Sequence, residues 1–100
     1  MSLESAIATL KDKAALAPPL GHRIKIDLGD DGVILWDGTG PTPIVNNEPG
    51  EAETTIIISL TDAEELIAGT LNATMAYMTG RLKIEGSMGV AMKIGQLLGD

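Results

Sequence analysis

From Arg23 to Leu28 charged and aliphatic side chains alternate without a break, as Arg-Ile-Lys-Ile-Asp-Leu. Successive side chains of an extended chain point to opposite faces. This segment is therefore a strand with one dry face (Ile24, Ile26, Leu28) and one wet face. Arg81-Leu82-Lys83-Ile84-Glu85 repeats the alternation near the other end of the chain. The fold must contain a sheet that is apolar on one side, and other elements have to cover that side.

The covering elements are legible as helices. Leu3, Ile7, Leu10 and Ala14 recur at steps of three and four, one stripe of a helix, and Pro18-Pro19 ends it because proline has no amide to donate. After the first strand, Gly29-Asp30-Asp31-Gly32 reads as a hairpin turn leading to the apolar strand Val33–Trp36. Gly38 to Pro43 is loop, Ile44-Val45 a short strand, and Asn46 to Gly50 a second break. Glu53 to Leu60, rich in Thr and Ile, is the clearest strand of all. Thr61-Asp62-Ala63-Glu64 has the form of a capping box for a helix carrying Leu66 and Ile67 and stopped by Gly69. Asn72 caps a second short helix with Met75, Ala76 and Met78. Ser87 caps the last one, which carries Met88, Ala91, Met92, Ile94, Leu97 and Leu98. This order predicts one α+β domain over residues 1–100, with helices on one face of a mainly antiparallel sheet.

The core has to be filled almost without rings, since Phe is absent and Trp36 and Tyr77 are the only aromatics. Ile, Leu, Val, Ala and five Met remain, and Met is the one that adapts to irregular gaps and to varied apolar ligands. A net charge of −7 leaves no basic footprint for nucleic acid. It also gains nothing from anionic lipid headgroups, so at most transient membrane contact is expected. Without cysteine there is neither disulfide nor thiolate chemistry. No apolar run approaches the ~20 residues that span a bilayer. Met1 to Leu10 lacks the basic start and apolar stretch of a secretory signal, so the expected compartment is the cytoplasm.

Catalytic chemistry finds little support. His22 is the single histidine and opens the alternating strand on its polar phase, which reads as a surface position. One His and no Cys cannot assemble a zinc site of the usual ligand types, and no nucleophile-elbow motif surrounds any serine. Asp27, Asp30 and Asp31 lack the spacing of a calcium loop and suit a turn better. No metal, cofactor or catalytic residue is assigned. What remains is apolar volume. The last helix is apolar on almost every side and carries Gly89 and Gly95, each costing a helix about 1 kcal/mol relative to Ala. Those glycines allow close packing, leave room for a ligand, or loosen the helix.

The stretch Ala52 to Leu97, above all Ala76-Tyr77-Met78-Thr79-Gly80-Arg81-Leu82-Lys83-Ile84-Glu85-Gly86-Ser87-Met88-Gly89-Val90-Ala91-Met92-Lys93, resembles the C-terminal half of the sterol carrier protein 2 domain. The family pattern there is an aromatic or apolar pair, then Gly-Lys-Leu-Lys-Ile-x-Gly-Asn/Asp-Met-x-Leu-Ala-Met-Lys-Leu. Arg81 stands for a Lys, Ser87 for Asn or Asp, and Val90 and Ile94 for Leu. Thr55-Ile56, Asp62, Leu66 and Gly69 extend the likeness upstream, while the N-terminal half agrees only in layout, through the strand pair ending at Trp36-Asp37. The family often has Phe where Tyr77 and Met78 stand, and Leu97-Leu98-Gly99-Asp100 is not a peroxisomal Ser-Lys-Leu signal, so that address is not expected.

The resemblance implies a five-stranded sheet covered by helices, with an apolar tunnel between them that takes fatty-acyl, phospholipid or sterol-like ligands. Carried onto this sequence, the tunnel lining is Ile56, Ile58, Leu60, Leu66, Leu71, Met75, Met78, Leu82 and Ile84. Met88, Met92, Ile94 and Leu97 of the last helix complete it. The implied function is a lipid carrier without catalysis. The alternative is a protein-interaction or dimerisation module of the same fold with a filled core.

Overall fold

The computed structural model describes residues 3–16, 21–41, 43–47 and 50–99, with side chains as far as residue 95. The Pro18-Pro19 stop and the side chains of Leu97 and Leu98 lie outside the described residues. Helix α1 (Leu3–Leu16) is followed by strands β1 (Arg23–Asp27), β2 (Val33–Asp37), β3 (Ile44–Asn46) and β4 (Thr54–Ile58). Helices α2 (Leu60–Ile67) and α3 (Ala73–Met78), strand β5 (Leu82–Gly86) and helix α4 (Met88–Gly99) complete the chain.

The five strands lie in the order β3-β2-β1-β4-β5. Three of the pairings are antiparallel, but β1 and β4 run parallel, so the sheet is mixed. The reason is topological. The chain leaves β3 at one edge and re-enters beyond β1, and such a crossover brings β4 in the direction of β1. Gly50 lies on the way, close against the Leu35 side chain and the Arg23 guanidinium on the outer face of the sheet. This contact explains why Leu35 is buried although it belongs to the outer face.

Alternation decides the inner face. Cross-strand partners bring Ile24, Trp36, Val45 and Thr54 into one row, and Ile26, Ile34, Ile56 and Ile84 into the next. All but the partly buried Ile84 are closed to solvent. Ala6, Leu10 and Ala14 of α1, Ala63 and Leu66 of α2, and Ala91 and Ile94 of α4 join the same core cluster, so the helices sit on this face. Among the described residues no helix is long and apolar enough to cross a membrane.

The turns follow local chemistry. The β1–β2 connection is a single 3₁₀ turn, Gly29–Asp31, in which the Gly29 amide donates to Asp27 Oδ1 at 2.8 Å and Leu28 N donates to Gly32 O. Asp27 is thereby a turn residue. The strand expected to run to Leu60 stops at Ile58, and Ser59 rather than Thr61 caps α2, its hydroxyl accepting from Asp62 N at 3.1 Å. Ser59 has extended backbone angles and the residues after it are helical, which is what makes it the cap. Asn72 Oδ1 accepts from Thr74 N and Met75 N at the start of α3, and Ser87 Oγ from Val90 N in the first turn of α4. Gly69, with φ of 81°, ends α2 in the left-handed conformation that glycine adopts without strain.

Candidate functional site

The candidate site is the interior between the dry sheet face and the helices. Its long side is built by β4 and β5, where Ile56 faces Ile84 and Ile58 faces Leu82 across the ladder. The far side is α4, which packs on both strands. Helices α2 and α3 form the end, through α2 against α4 and α3 against α4 and β5.

The residues proposed from the sequence divide into three groups. Ile56, Ile58, Leu66, Leu82 and Ile94 are buried together in one cluster. Leu60, Leu71 and Ile84 are partly buried and pack against it, and Met92 is also partly buried. Met75, Met78 and Met88 lie on the surface, 55%, 73% and 43% exposed, and the Leu97 side chain falls outside the described residues. Met75 and Met78 share a short helix whose buried residue is Ala76, so the face that carries them turns outward.

The two glycines of α4 separate cleanly. A β-carbon on Gly95 would stand 2.7 Å from that of Ala73, so this glycine lets α3 and α4 approach. At Gly89 the nearest side-chain atom would be Ser87 Oγ at 4.0 Å, so nothing crowds that position.

The interior is almost free of polar groups. Among the described residues Thr54 is the one buried residue of polar type. Its hydroxyl accepts from Ser87 N at 3.1 Å and donates to Ser87 O at 3.4 Å, joining the start of β4 to the entry of α4. Trp36 adds an indole N–H, closed to solvent at 0% exposure and without a hydrogen-bond partner. The sequence alone could not orient Trp36, because Val33 to Trp36 is apolar at every position and offers no polar phase to separate the faces. The pairing of Trp36 with Ile24, which alternation places on the dry face, supplies the orientation.

Charge is kept at the rim. Arg81, just before β5, donates to Asp62 Oδ1 through Nε at 3.1 Å and through Nη2, and Nη2 also reaches Glu65 Oε2. The hydrogen bonds from Arg81 hold the Asp62 carboxyl below the usual carboxylate range, and those same bonds raise Arg81 above its ordinary value. On β2 the Thr39 hydroxyl and amide, with Arg23 beside them, lower Asp37. His22 is half-buried at the surface, its Nδ1 paired with Glu53 Oε2. Among the described residues no ionisable side chain is buried in this interior.

The model of the SCP-2 sterol transfer family matches residues 3–99. Sterol carrier protein 2 of Oryctolagus cuniculus is 38% identical over 58 residues, which are 58% of this chain and 11% of that protein. The chain spans only 9% to 15% of the length of the curated relatives it matches. In fold, it is similar to the crystal structure of sterol carrier protein 2 like 2 from Aedes aegypti, with a TM-score of 0.74 and 19% identity over 96% of this chain and 95% of that one. The solution structure of palmitated SCP2L2 from the same organism gives a TM-score of 0.70 at 20% identity, covering 100% and 96%. The aliphatic sheet face, the helices over it and a family match spanning nearly every residue agree: the chain belongs to the SCP-2 sterol transfer family.

Proposed function

We propose that residues 1–100 act as one non-catalytic carrier unit in the cytoplasm, holding a fatty-acyl, phospholipid or sterol-like molecule in a tunnel between the sheet and the helices. The observation that carries this reading is the interior itself, a face of Ile, Leu, Val and Trp drawn from all five strands with, among the described residues, no ionisable side chain buried in it. The palmitate held by a structural neighbour of the same fold supports the ligand class.

The chemistry is transfer of hydrocarbon out of water. Each methylene buried contributes about 0.8 kcal/mol, so a chain of a dozen carbons needs no polar contact to bind firmly. Ile56, Ile58, Leu66, Leu82, Ile84 and Met92 are the residues we assign to the wall. Met92 is the adaptable one, since an unbranched thioether re-packs around different shapes with little strain. The acidic surface means that delivery to a bilayer runs on the hydrophobic term and not on attraction to anionic headgroups.

Native mass spectrometry of protein purified from cells, followed by organic extraction, tests the reading. Fatty acid, phospholipid or sterol at near one per chain is the expected result. A ligand-free mass together with failure to displace a fluorescent fatty acid would overturn it in favour of a partner-binding module with a filled core.

A further inference from the structure

Single apolar side chains on a surface are ordinary, whereas several on one element ask for an occupant. Among the described residues Leu16, Ile44 and Met88 are exposed on three different elements. Met75, Tyr77 and Met78 are exposed together on α3, whose buried member is Ala76. Met78, the most exposed of the three, shares its face with Met75, one turn away.

Two further features single this face out. Residues 66–80 contain no Asp, Glu, Lys or Arg, the longest such stretch in a chain of net charge −7. The polar groups at both ends of α3 are also bonded from within. Asn72 Oδ1 accepts from the Thr74 and Met75 amides, the Thr79 hydroxyl donates to Met75 O and Ala76 O, and Tyr77 O accepts from Gly80 N. Just upstream, the Thr70 hydroxyl donates to Glu65 O. At the border of the stretch Arg81 is paired with Asp62 and Glu65 of α2.

We infer that the outer face of α3 docks on a bilayer of zwitterionic lipid, with Met75, Tyr77 and Met78 entering the boundary between headgroups and acyl chains. The inference rests on the carrier reading and names the surface on which that carrier meets a membrane. Hydrocarbon offers no hydrogen bonds, so a segment enters it cheaply only when its backbone ends are already bonded, as those of α3 are. Methionine is unbranched and pliable, and a tyrosine has an apolar body with a polar tip suited to the wet boundary. No charge on this face has to be desolvated, while the net negative charge of the chain opposes an anionic surface. A second copy of the chain is the poorer fit. A stable protein interface takes about 20 to 30 residues a side, and α3 offers three large side chains on a helix about 9 Å long.

Methyl-labelled methionine gives a separate signal for each of the five Met in the intact chain. Spectra would be recorded with phosphatidylcholine vesicles that carry a spin-labelled lipid. Met75 and Met78 are expected to broaden first, while Met92 stays sharp. Partition onto the same vesicles, measured by flotation, should fall at least about tenfold in Met75→Ser/Met78→Ser and stay unchanged in Met88→Ser. All three positions are exposed, so the variants should fold, which circular dichroism checks. Vesicles enriched in phosphatidylserine should bind the wild-type chain less well. Equal broadening of Met75, Met78, Met88 and Met92, or undiminished partition of the folded double variant, would overturn the inference. Tighter binding to the phosphatidylserine vesicles would overturn the zwitterionic class. A concentration-dependent dimer in light scattering that the double variant abolishes would give the face to a second copy and overturn it too. The spectra need no cargo, so failure to dock is distinguishable from failure to take up a fatty acid, which would overturn the carrier reading.

Discussion

Gly95 of α4 and Ala73 of α3 meet so closely that a β-carbon on the glycine would stand 2.7 Å from the β-carbon of the alanine. Neither group can swing away, because one belongs to a helix backbone and the other is a single methyl. Gly95→Ala should therefore destabilise the chain by about 1 to 3 kcal/mol, although alanine is the better helix former. Gly89→Ala, in open space, should instead stabilise by about 0.5 kcal/mol. Denaturant midpoints for the two variants check this, and Ala73→Gly should restore much of what Gly95→Ala loses.

Ser59, and not Thr61, closes the amino end of α2. Ser59→Ala is expected to cost about 1 kcal/mol, because the Asp62 amide loses its acceptor. Thr61→Ala should stay within about 0.5 kcal/mol of wild type, as its side chain is exposed. Equal losses in thermal unfolding would return the cap to Thr61.

Arg81 ties the base of β5 to Asp62 and Glu65 on α2. Since Arg81 holds the folded Asp62 carboxyl below its unfolded value, the stabilisation it supplies is fully present above the ordinary carboxylate pKa. It is lost as pH falls through the lowered folded value. Melting temperature followed into acid should decline more gently in Asp62→Asn than in wild type. Parallel acid limbs in the two proteins would contradict that linkage.

Ile84 pairs with Ile56 on the inner face and is partly buried, as is Met92 on α4. Neither is so enclosed that a charge must unfold the protein. Ile84→Glu and Met92→Glu should each weaken uptake of a fluorescent fatty acid by at least about tenfold while circular dichroism stays native. Wild-type uptake by both folded variants would place the ligand elsewhere.

Most elements were legible because their signals are local. The alternation of Arg23–Leu28 and Arg81–Glu85 yielded β1 and β5 with their faces, and Asn72 and Ser87 marked their helices as side-chain caps do. The amino end of α2 was misread by two residues, because Ser59 and Thr61 are both able caps and only the backbone angles at Ser59 choose between them. The parallel pairing of β1 with β4 left no trace in either strand, since neither the alternation of Arg23–Asp27 nor the Thr- and Ile-rich run Thr54–Ile58 says which way its neighbour runs.

The sequence by itself determined an acidic chain with one dry sheet face, an aliphatic core poor in rings and helices to cover it. Those properties reside in period, composition and charge. Only the tertiary structure decided that Gly95 serves close packing while Gly89 does not, and that Met75, Met78 and Met88 face outward. It alone turned Trp36 inward with its indole nitrogen unpaired. The physical reason is common to all three: what a side chain meets depends on which distant segment arrives beside it, and a glycine, a methionine or a tryptophan in an apolar run carries no local mark of that neighbour.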